Sequence, residues 1–302
     1  MNEFKDIRDD QIRIIGDDDR RGVGVLPRWA WLVITSILII IIAGVVALVV
    51  SNNADETANM SVASEPTLFE PESIDEPAHI EWLGSEVDSL QEGFTEIKEM
   101  LINDIPIRIF IPHNGEMSLH IGLVDKSDKS IIYVAQAADV RADNGGIVGA
   151  FVLEGEPCAW GLSKRGYCAS INGRVTVGVA DSTPLFEQAT EEEGYFFRQY
   201  PLVSNGELIE NAPKGKSIRR AICDRQGEIF MVETASRESF HDFAQALVDL
   251  GVDQAIYLVG STAYGWAVDE SGVVHEFGED NYYSGRYTVP KNINYLVWRK
   301  KN

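Results

Sequence analysis

The chain has 302 residues, enough for one large domain or two small ones, and 45% of them are hydrophobic, as in a globular protein. Its formal net charge of -21 argues against nucleic acid as a partner, because a strongly acidic chain offers no basic face to neutralise phosphates. The same charge disfavours peripheral adhesion to anionic lipid.

Residues 29–50 contain no charged side chain and predict a transmembrane helix. A helix of this length spans about 33 Å, enough to cross a bilayer. A cleaved signal peptide is the alternative, but its apolar core is normally about 7–15 residues and its leading segment is shorter than residues 1–28.

The charges beside this segment predict its orientation. Arg20, Arg21 and Arg28 precede it, whereas no Lys or Arg lies between Ser51 and Ile97. Since Lys and Arg stay on the cytoplasmic side, residues 1–28 are predicted to be a cytoplasmic tail. We therefore expect a single-pass protein of the cytoplasmic (inner) membrane, with its carboxyl-terminal domain outside the cytoplasm.

Residues 51–80 are rich in Asn, Ala, Ser, Glu and Pro, and this composition predicts a flexible acidic linker. In residues 81–103 apolar side chains recur at alternating spacings of four and three, which predicts an amphipathic helix. The positions of this stripe are Leu83, Val87, Leu90, Phe94, Ile97 and Leu101. The helix either packs on its own domain or forms a stalk for a homodimer through residues 83–101.

The sequence pattern of residues 104–302 predicts one domain of many short strands. Asn172-Gly173 is the strongest short hairpin signal, and residues 224–227 predict a second turn. One clear helix follows from about Ser239 to Leu250. Ser239 with Asp242 resembles a capping pair at its start, and Gly251 ends it.

This helix connects two strands, at residues 228–233 and 254–259, which we expect to pair in parallel through a right-handed crossover. The predicted fold class is α+β, a many-stranded mixed sheet with few helices, preceded by the transmembrane helix and the amphipathic helix.

The cysteines leave two alternatives. Cys158 and Cys168 form a disulfide across a hairpin in an oxidising compartment, or these two and Cys223 are buried free thiols. The five histidines are scattered without metal-ligand spacing, so no metal site is predicted, and the sequence identifies no cofactor.

A basic cluster formed by Lys214, Lys216, Arg219 and Arg220 stands out in this acidic chain. Arg219 and Arg220 are neighbours on a strand and point to opposite faces, so at most one of them faces a given pocket. An arginine there suits a phosphate or carboxylate through its planar fork. The alternative is a solvated hairpin with one surface arginine and one arginine in a salt bridge.

The order "GAFVLEGEP", "SIRRAIC", a helix and then "GVDQAIYLVGS" resembles the phosphodiester glycosidase domain family over residues 105–280. Members of this family typically show an Asn-Gly-Gly-Phe-Phe strand, an Arg-Thr-Ala-Ile-Gly strand and a strand that ends in Leu-Asp-Gly-Gly-Gly-Ser. Gly149, Arg219 and Gly260 match the three motifs, and Ser261 and Thr262 stand where further glycines belong.

The resemblance implies a bacterial envelope enzyme that hydrolyses a sugar-1-phosphodiester linkage in envelope glycans. Arg219 is then the catalytic residue, and Gly149, Arg219, Gly260, Ser261 and Thr262 bind the substrate.

Two departures from the family pattern favour the alternative, a catalytically impaired module that binds a glycan or another partner. Val148 replaces the family Asn, and Val259 replaces the family Asp and offers no carboxylate. Asp181, Glu154 and Glu156 are the candidate substitutes for that lost carboxylate.

Overall fold

The computed structural model describes residues 82–301. The predicted tail, transmembrane helix and linker lie outside the described residues. Among residues 82–301, no helix is both long and apolar enough to cross a bilayer.

The described part of the chain is built mainly from strands, as the sequence pattern of residues 104–302 predicts. The strands are β1 Phe94–Ile102, β2 Ile105–His113, β3 Gly115–Ile121, β4 Ile131–Gln136, β5 Ala150–Leu153, β6 Glu156–Trp160, β7 Gly166–Ile171, β8 Arg174–Val179, β9 Tyr195–Gln199, β10 Pro201–Ser204, β11 Glu207–Leu208, β12 Arg220–Arg225, β13 Glu228–Thr234, β14 Gln254–Leu258, β15 Gly265–Val268, β16 Val274–Phe277 and β17 Asn294–Lys300. The helices of residues 82–301 are α1 Leu185–Glu191 and α2 Phe240–Asp249. The prediction of many strands and few helices is confirmed.

The strands form three sheets. A seven-stranded sheet has the order β1-β2-β13-β12-β14-β10-β11, and two five-stranded sheets have the orders β16-β15-β4-β17-β3 and β6-β5-β9-β7-β8. Neighbouring strands of the described residues pair antiparallel.

The expected parallel pair of β13 and β14 is corrected by this order. The two strands run parallel, but β12 lies between them and is antiparallel to both. A tight turn at Gln226-Gly227, where φ is 54° and 90°, folds β13 back beside β12. Helix α2 then carries the chain past β12 to its free side.

The predicted amphipathic helix over residues 81–103 is wrong. Residues 94–102 form β1, which pairs along its whole length with β2 after a turn at Asn103-Asp104. The apolar stripe does not share one buried face, because Phe94 is buried whereas Leu90 and Leu101 are exposed. Pairing with the isoleucine-rich strand β2 overrides the helical spacing. The predicted homodimer therefore loses the helix through which it was to form.

Local signals elsewhere are confirmed. Asn172 and Gly173 adopt positive φ values of 51° and 74° in the hairpin between β7 and β8. Ser239 caps α2 by accepting a hydrogen bond from the backbone N–H of Asp242 at 3.0 Å. Gly251, with φ of 83°, ends the helix.

Of the two alternatives for the cysteines, the hairpin disulfide is not formed, and the buried free thiols are found for Cys168 and Cys223 but not for Cys158. All three cysteines are free, with Cys158 exposed and Cys168 and Cys223 buried. Cys158 lies on β6 and Cys168 on β7, and β5 and β9 separate these two strands in the sheet. Because β6 and β7 are not neighbours in the sheet, Cys158 and Cys168 do not lie on the two strands of one hairpin.

The seven-stranded sheet buries both of its faces, and this determines where its side chains point. Ala221 and Cys223 of β12 pack with α2 in one hydrophobic cluster. Ile222 packs in a second cluster, which includes residues of all three sheets. Successive residues at the start of β12 therefore face different interiors.

Candidate functional site

A hollow of about 610 Å³ lies where β12 begins and β14 has ended. We call it the central hollow. Among the residues that line it are Arg108, Arg220, Glu233, Ser261, Thr262 and Glu279. The first three come from neighbouring strands of the seven-stranded sheet, and the last three come from the segments that follow β14 and β16.

Arg108, Glu233 and Arg220 form a row across three adjacent strands. Glu233 of β13 is the cross-strand partner of Arg108 on β2 and of Arg220 on β12. Residues directly opposite each other on antiparallel strands bring their side chains together. The register of the sheet thus places one carboxylate between two guanidinium groups.

Arg220 is the buried member of this row, with 1% of its surface exposed. Its Nε donates to Glu233, and its Nη1 donates to the carbonyl oxygens of Val259 at 3.1 Å and Ala263 at 2.6 Å. Its Nη2 is buried and has no hydrogen-bond partner among the described residues. A buried donor without a partner is costly, so this nitrogen marks a place where an acceptor would be stabilising.

Glu233 binds both arginines, since Arg108 Nη2 donates to its other carboxylate oxygen. The Glu233 side chain is 3% exposed, and that of Arg108 is 29% exposed. Two cations share one anion, so the row retains one net positive charge in surroundings with little water. Charge interactions are stronger there than in bulk solvent, which favours an anion next to the row. The whole lining of the central hollow is balanced, because Arg237 adds a third arginine and Glu99 and Glu279 add two more carboxylates.

Two aromatic side chains, Phe277 and Tyr133, pack beneath the row. The Arg220 guanidinium lies 4.6 Å from the centroid of the Phe277 ring, and Phe277 packs on Tyr133 at 5.9 Å. Burial raises the pKa of Tyr133 far above its usual value, although the positive charge of Arg220 opposes this shift. Tyr133 is therefore a neutral phenol at physiological pH and leaves the charge of the row unchanged.

The small residues after β14 allow this loop to lie against the segment that enters β12. A Cβ atom on Gly260 would lie 2.2 Å from the carbonyl oxygen of Ile218, so only glycine fits without displacement. Ser261 donates its backbone N–H to the same oxygen at 2.8 Å and adopts φ of 56°. The side chains of Ser261 and Thr262 are exposed at the edge of the central hollow.

The structure places Arg219 on the other face of the sheet. Its guanidinium lies 4.1 Å from the Phe240 ring of α2 and donates to the carbonyl oxygens of Glu238 and Gly215 at 2.8 Å and 2.7 Å. Arg219 does not line the central hollow, whereas Arg220 does. The predicted opposition of the two arginines holds, but the residue that faces the hollow is the second one.

Gly149 also lies outside the central hollow. Its φ is 94°, and an added Cβ would lie 3.1 Å from the Cβ of Arg198 on β9, so this glycine serves a close approach of two strands. Gly260 lines a hollow of about 540 Å³ on the other side of its loop, together with Ser261 and Thr262. Of the predicted site residues, the structure thus brings together the three loop residues and separates them from Gly149 and Arg219.

The candidate substitute carboxylates do not reach the central hollow either. Asp181 pairs with Arg165 at 2.7 Å, and Glu154 accepts a hydrogen bond from the Tyr195 hydroxyl at 3.2 Å. Glu156 lies on the edge strand β6. The carboxylates that line the hollow are Glu99, Glu233 and Glu279.

Arg108, Glu233 and Glu279 are functional candidates that the sequence reasoning missed. A signal for the first two exists: Arg108 interrupts the isoleucines of "IPIRIFIP", and Glu233 ends the apolar run "IFMV". Charged residues inside such runs are rarely buried unless they are paired. In residues 82–301, no group of three or more His, Cys, Asp or Glu side chains is arranged to hold a metal ion.

Comparisons with known proteins give a weak likeness of fold. No protein-family model and no curated protein matches the chain. The solved catalytic domain of zebrafish N-acetylglucosamine-1-phosphodiester alpha-N-acetylglucosaminidase, auto-inhibited by its pro-peptide, matches at 14% identity and a TM-score of 0.48, over 70% of this chain and 83% of that chain. A hypothetical protein from Synechocystis matches at 10% identity and a TM-score of 0.46, over 70% of this chain and 62% of that chain.

Proposed function

We propose that this chain hydrolyses a sugar-1-phosphodiester and holds the phosphate of its substrate in the central hollow, beside Arg220 and Arg108. One observation carries the proposal: two guanidinium groups share the single carboxylate of Glu233, and one buried nitrogen of Arg220 has no partner. The fork of an arginine suits the oxygens of a phosphate, and the row has a positive charge to neutralise.

In the proposed reaction the bond between the anomeric carbon and the phosphate oxygen breaks. The phosphate oxygen leaves with the electron pair, and the oxygen of a water molecule bonds to the anomeric carbon. This water keeps one proton in the new hydroxyl group of the sugar and gives the other to a carboxylate, which releases it to solvent. Arg108 and Arg220 stabilise the negative charge that develops on the departing phosphate, a task that preformed donors perform well in a site with little water.

Glu279 is the carboxylate that we assign to the developing positive charge of the sugar. Its side chain is exposed in the central hollow, and its backbone N–H donates to the carbonyl oxygen of Thr262 at 3.0 Å. It thus lies against the loop in which Val259 replaces the carboxylate of the resembled family. Glu233 is already bound to two arginines and is assigned to positioning them.

The second candidate function is a module that binds the same kind of ligand without turnover. The observation that favours it is the side chain of Val259, which carries no ionisable group at the end of β14. In both cases we propose that residues 29–50 anchor the chain in the inner membrane, with the domain outside the cytoplasm among envelope glycans. The apolar sequence and its flanking arginines support this location.

A turnover assay separates the candidates. The full-length chain is incubated with a panel of sugar-1-phosphodiesters, and the released sugar is measured for wild type, Arg108→Met, Arg220→Met and the control Arg219→Met. We expect turnover to fall by about a hundredfold or more in the first two variants, because each loses one donor to the developing charge. The control removes a buried arginine from the opposite face and should retain turnover.

Arg108→Met keeps the buried pair of Arg220 and Glu233, so it tests the proposal even if Arg220→Met folds poorly. Unchanged turnover in both variants would contradict the proposed site. Saturable binding without release of sugar, dependent on Arg108, would favour the binding module.

A further inference from the structure

The central hollow has a neighbour on each side, and it shares walls with both. An acidic hollow of about 640 Å³ includes Glu96, Asp269 and Glu270, and it shares Glu99 and Arg108 with the central hollow. On the other side, the hollow of about 540 Å³ at Gly260 includes Lys291 and shares Ser261, Thr262 and Glu279 with the central hollow. We call this third one the Lys291 hollow.

We infer that the ligand is an extended glycan chain that crosses all three hollows, with its phosphodiester at Arg108 and Arg220. This inference rests on the proposed function and specifies the substrate class as a polymer rather than a single sugar phosphate. Each hollow by itself has a volume typical of a whole small-molecule site, about 300–1,000 Å³. A sugar with one phosphodiester fits within one of them, and the shared lining residues allow the units on either side to contact the neighbouring hollows.

The charges of the two outer hollows give the chain a direction. Four carboxylates line the acidic hollow, so the sugar units over it are neutral or carry an amine, since an anionic unit would be repelled. In the Lys291 hollow, Lys291 forms no ion pair among the described residues, and Tyr282 offers a ring on which a sugar can lie. This hollow holds two carboxylates, Asp139 and Glu279, and two basic side chains, Arg141 and Lys291, whereas the acidic hollow holds four carboxylates and one arginine. An anionic unit is therefore repelled less at the Lys291 hollow, and the anionic end of the chain lies on that side.

Blocking the outer hollows tests this inference without touching the row of charges. Ala142 and Ser271 are exposed residues of the Lys291 hollow and the acidic hollow, respectively. Ala142→Trp and Ser271→Trp each place a bulky ring in one outer hollow and narrow it. Glu207→Trp places the same side chain at an exposed position of β11 that lines none of the three hollows.

Two probes are titrated into the full-length chain by calorimetry. The short probe is a methyl sugar-1-phosphodiester, and the long probe is a tetrasaccharide with a phosphodiester at its centre. We expect each blocked variant to lose about tenfold in affinity for the long probe and nothing for the short one. The control Glu207→Trp should bind both probes as wild type does, and thermal midpoints confirm that all variants fold.

The outcomes distinguish this inference from the proposed function. If both blocked variants bind the long probe as tightly as wild type, the ligand does not run over the outer hollows, while binding of the short probe still supports the central site. If wild type binds neither probe, the proposed phosphodiester site is refuted, and the inference of an extended ligand is refuted as well.

Discussion

Replacing Glu233 with Gln tests whether the row of charges is the buried structure described above. The change keeps the shape of the side chain and removes its negative charge. Arg220, only 1% exposed, then has no anion within hydrogen-bonding distance among the described residues, whereas Arg108 at 29% exposure can still turn toward water. Breaking a buried ion pair by removing one partner typically costs about 3–5 kcal/mol, because it leaves an uncompensated buried charge.

We expect the free energy of unfolding to fall by about 3 kcal/mol, the lower end of this range, since the amide oxygen of Gln still accepts one hydrogen bond from Arg220. Urea denaturation at pH 7 measures this difference, with an unchanged dependence on denaturant as the sign that the folded state is preserved.

Glu238→Gln is the matched control, because the carboxylate of Glu238 pairs at 3.3 Å with the exposed Lys216. It should cost less than about 1 kcal/mol. A loss below about 1 kcal/mol for Glu233→Gln would refute the reasoning, because it would show that the charge of Arg220 does not depend on this carboxylate.

Three further predictions concern other parts of the described chain. Burial alone would raise the pKa of Glu96, but hydrogen bonds, led by those from Ser85, outweigh it and lower this pKa from 4.5 to about 2. The difference in unfolding free energy between wild type and Glu96→Gln should therefore be largest above pH 4.5 and should vanish as the pH falls to 2. A difference that does not depend on pH in urea titrations would contradict this prediction. Gly260→Ala should cost about 2 kcal/mol or more of unfolding free energy, because its Cβ would lie 2.2 Å from the carbonyl oxygen of Ile218, and an unchanged urea midpoint would disprove this close approach. A thiol reagent should modify Cys158 alone in the native chain and all three cysteines in denaturant, so rapid native labelling of a second thiol would contradict the burial described here.

The elements that the sequence predicts well are those whose signals are local. The turn at Asn172-Gly173 needs positive φ at both residues, and these residue types tolerate it. The cap at Ser239 and the stop at Gly251 lie within one turn of the helix ends that they define. Each of these features depends on a few consecutive residues, so no knowledge of the remaining fold is needed.

The site could be predicted only in part, because its assembly depends on contacts between distant segments. Alternation along a strand shows that Arg219 and Arg220 face opposite sides, but only packing against α2 determines which face Arg219 occupies. Arg108 and Glu233 are separated by more than a hundred residues, and the register of β2 with β13 brings them together. The prediction of a helix over residues 81–103 was wrong for the same reason, because pairing with β2 makes residues 94–102 a strand.

The most direct test of the central claim is a titration of the full-length chain with inorganic phosphate, followed by the NMR signals of the arginine Nε–H groups. The account predicts that the signals of Arg108 and Arg220 shift together with one saturating curve, while the signal of Arg219 stays in place. A shift of Arg219 without Arg220, or no saturable shift of either Arg108 or Arg220, would contradict it.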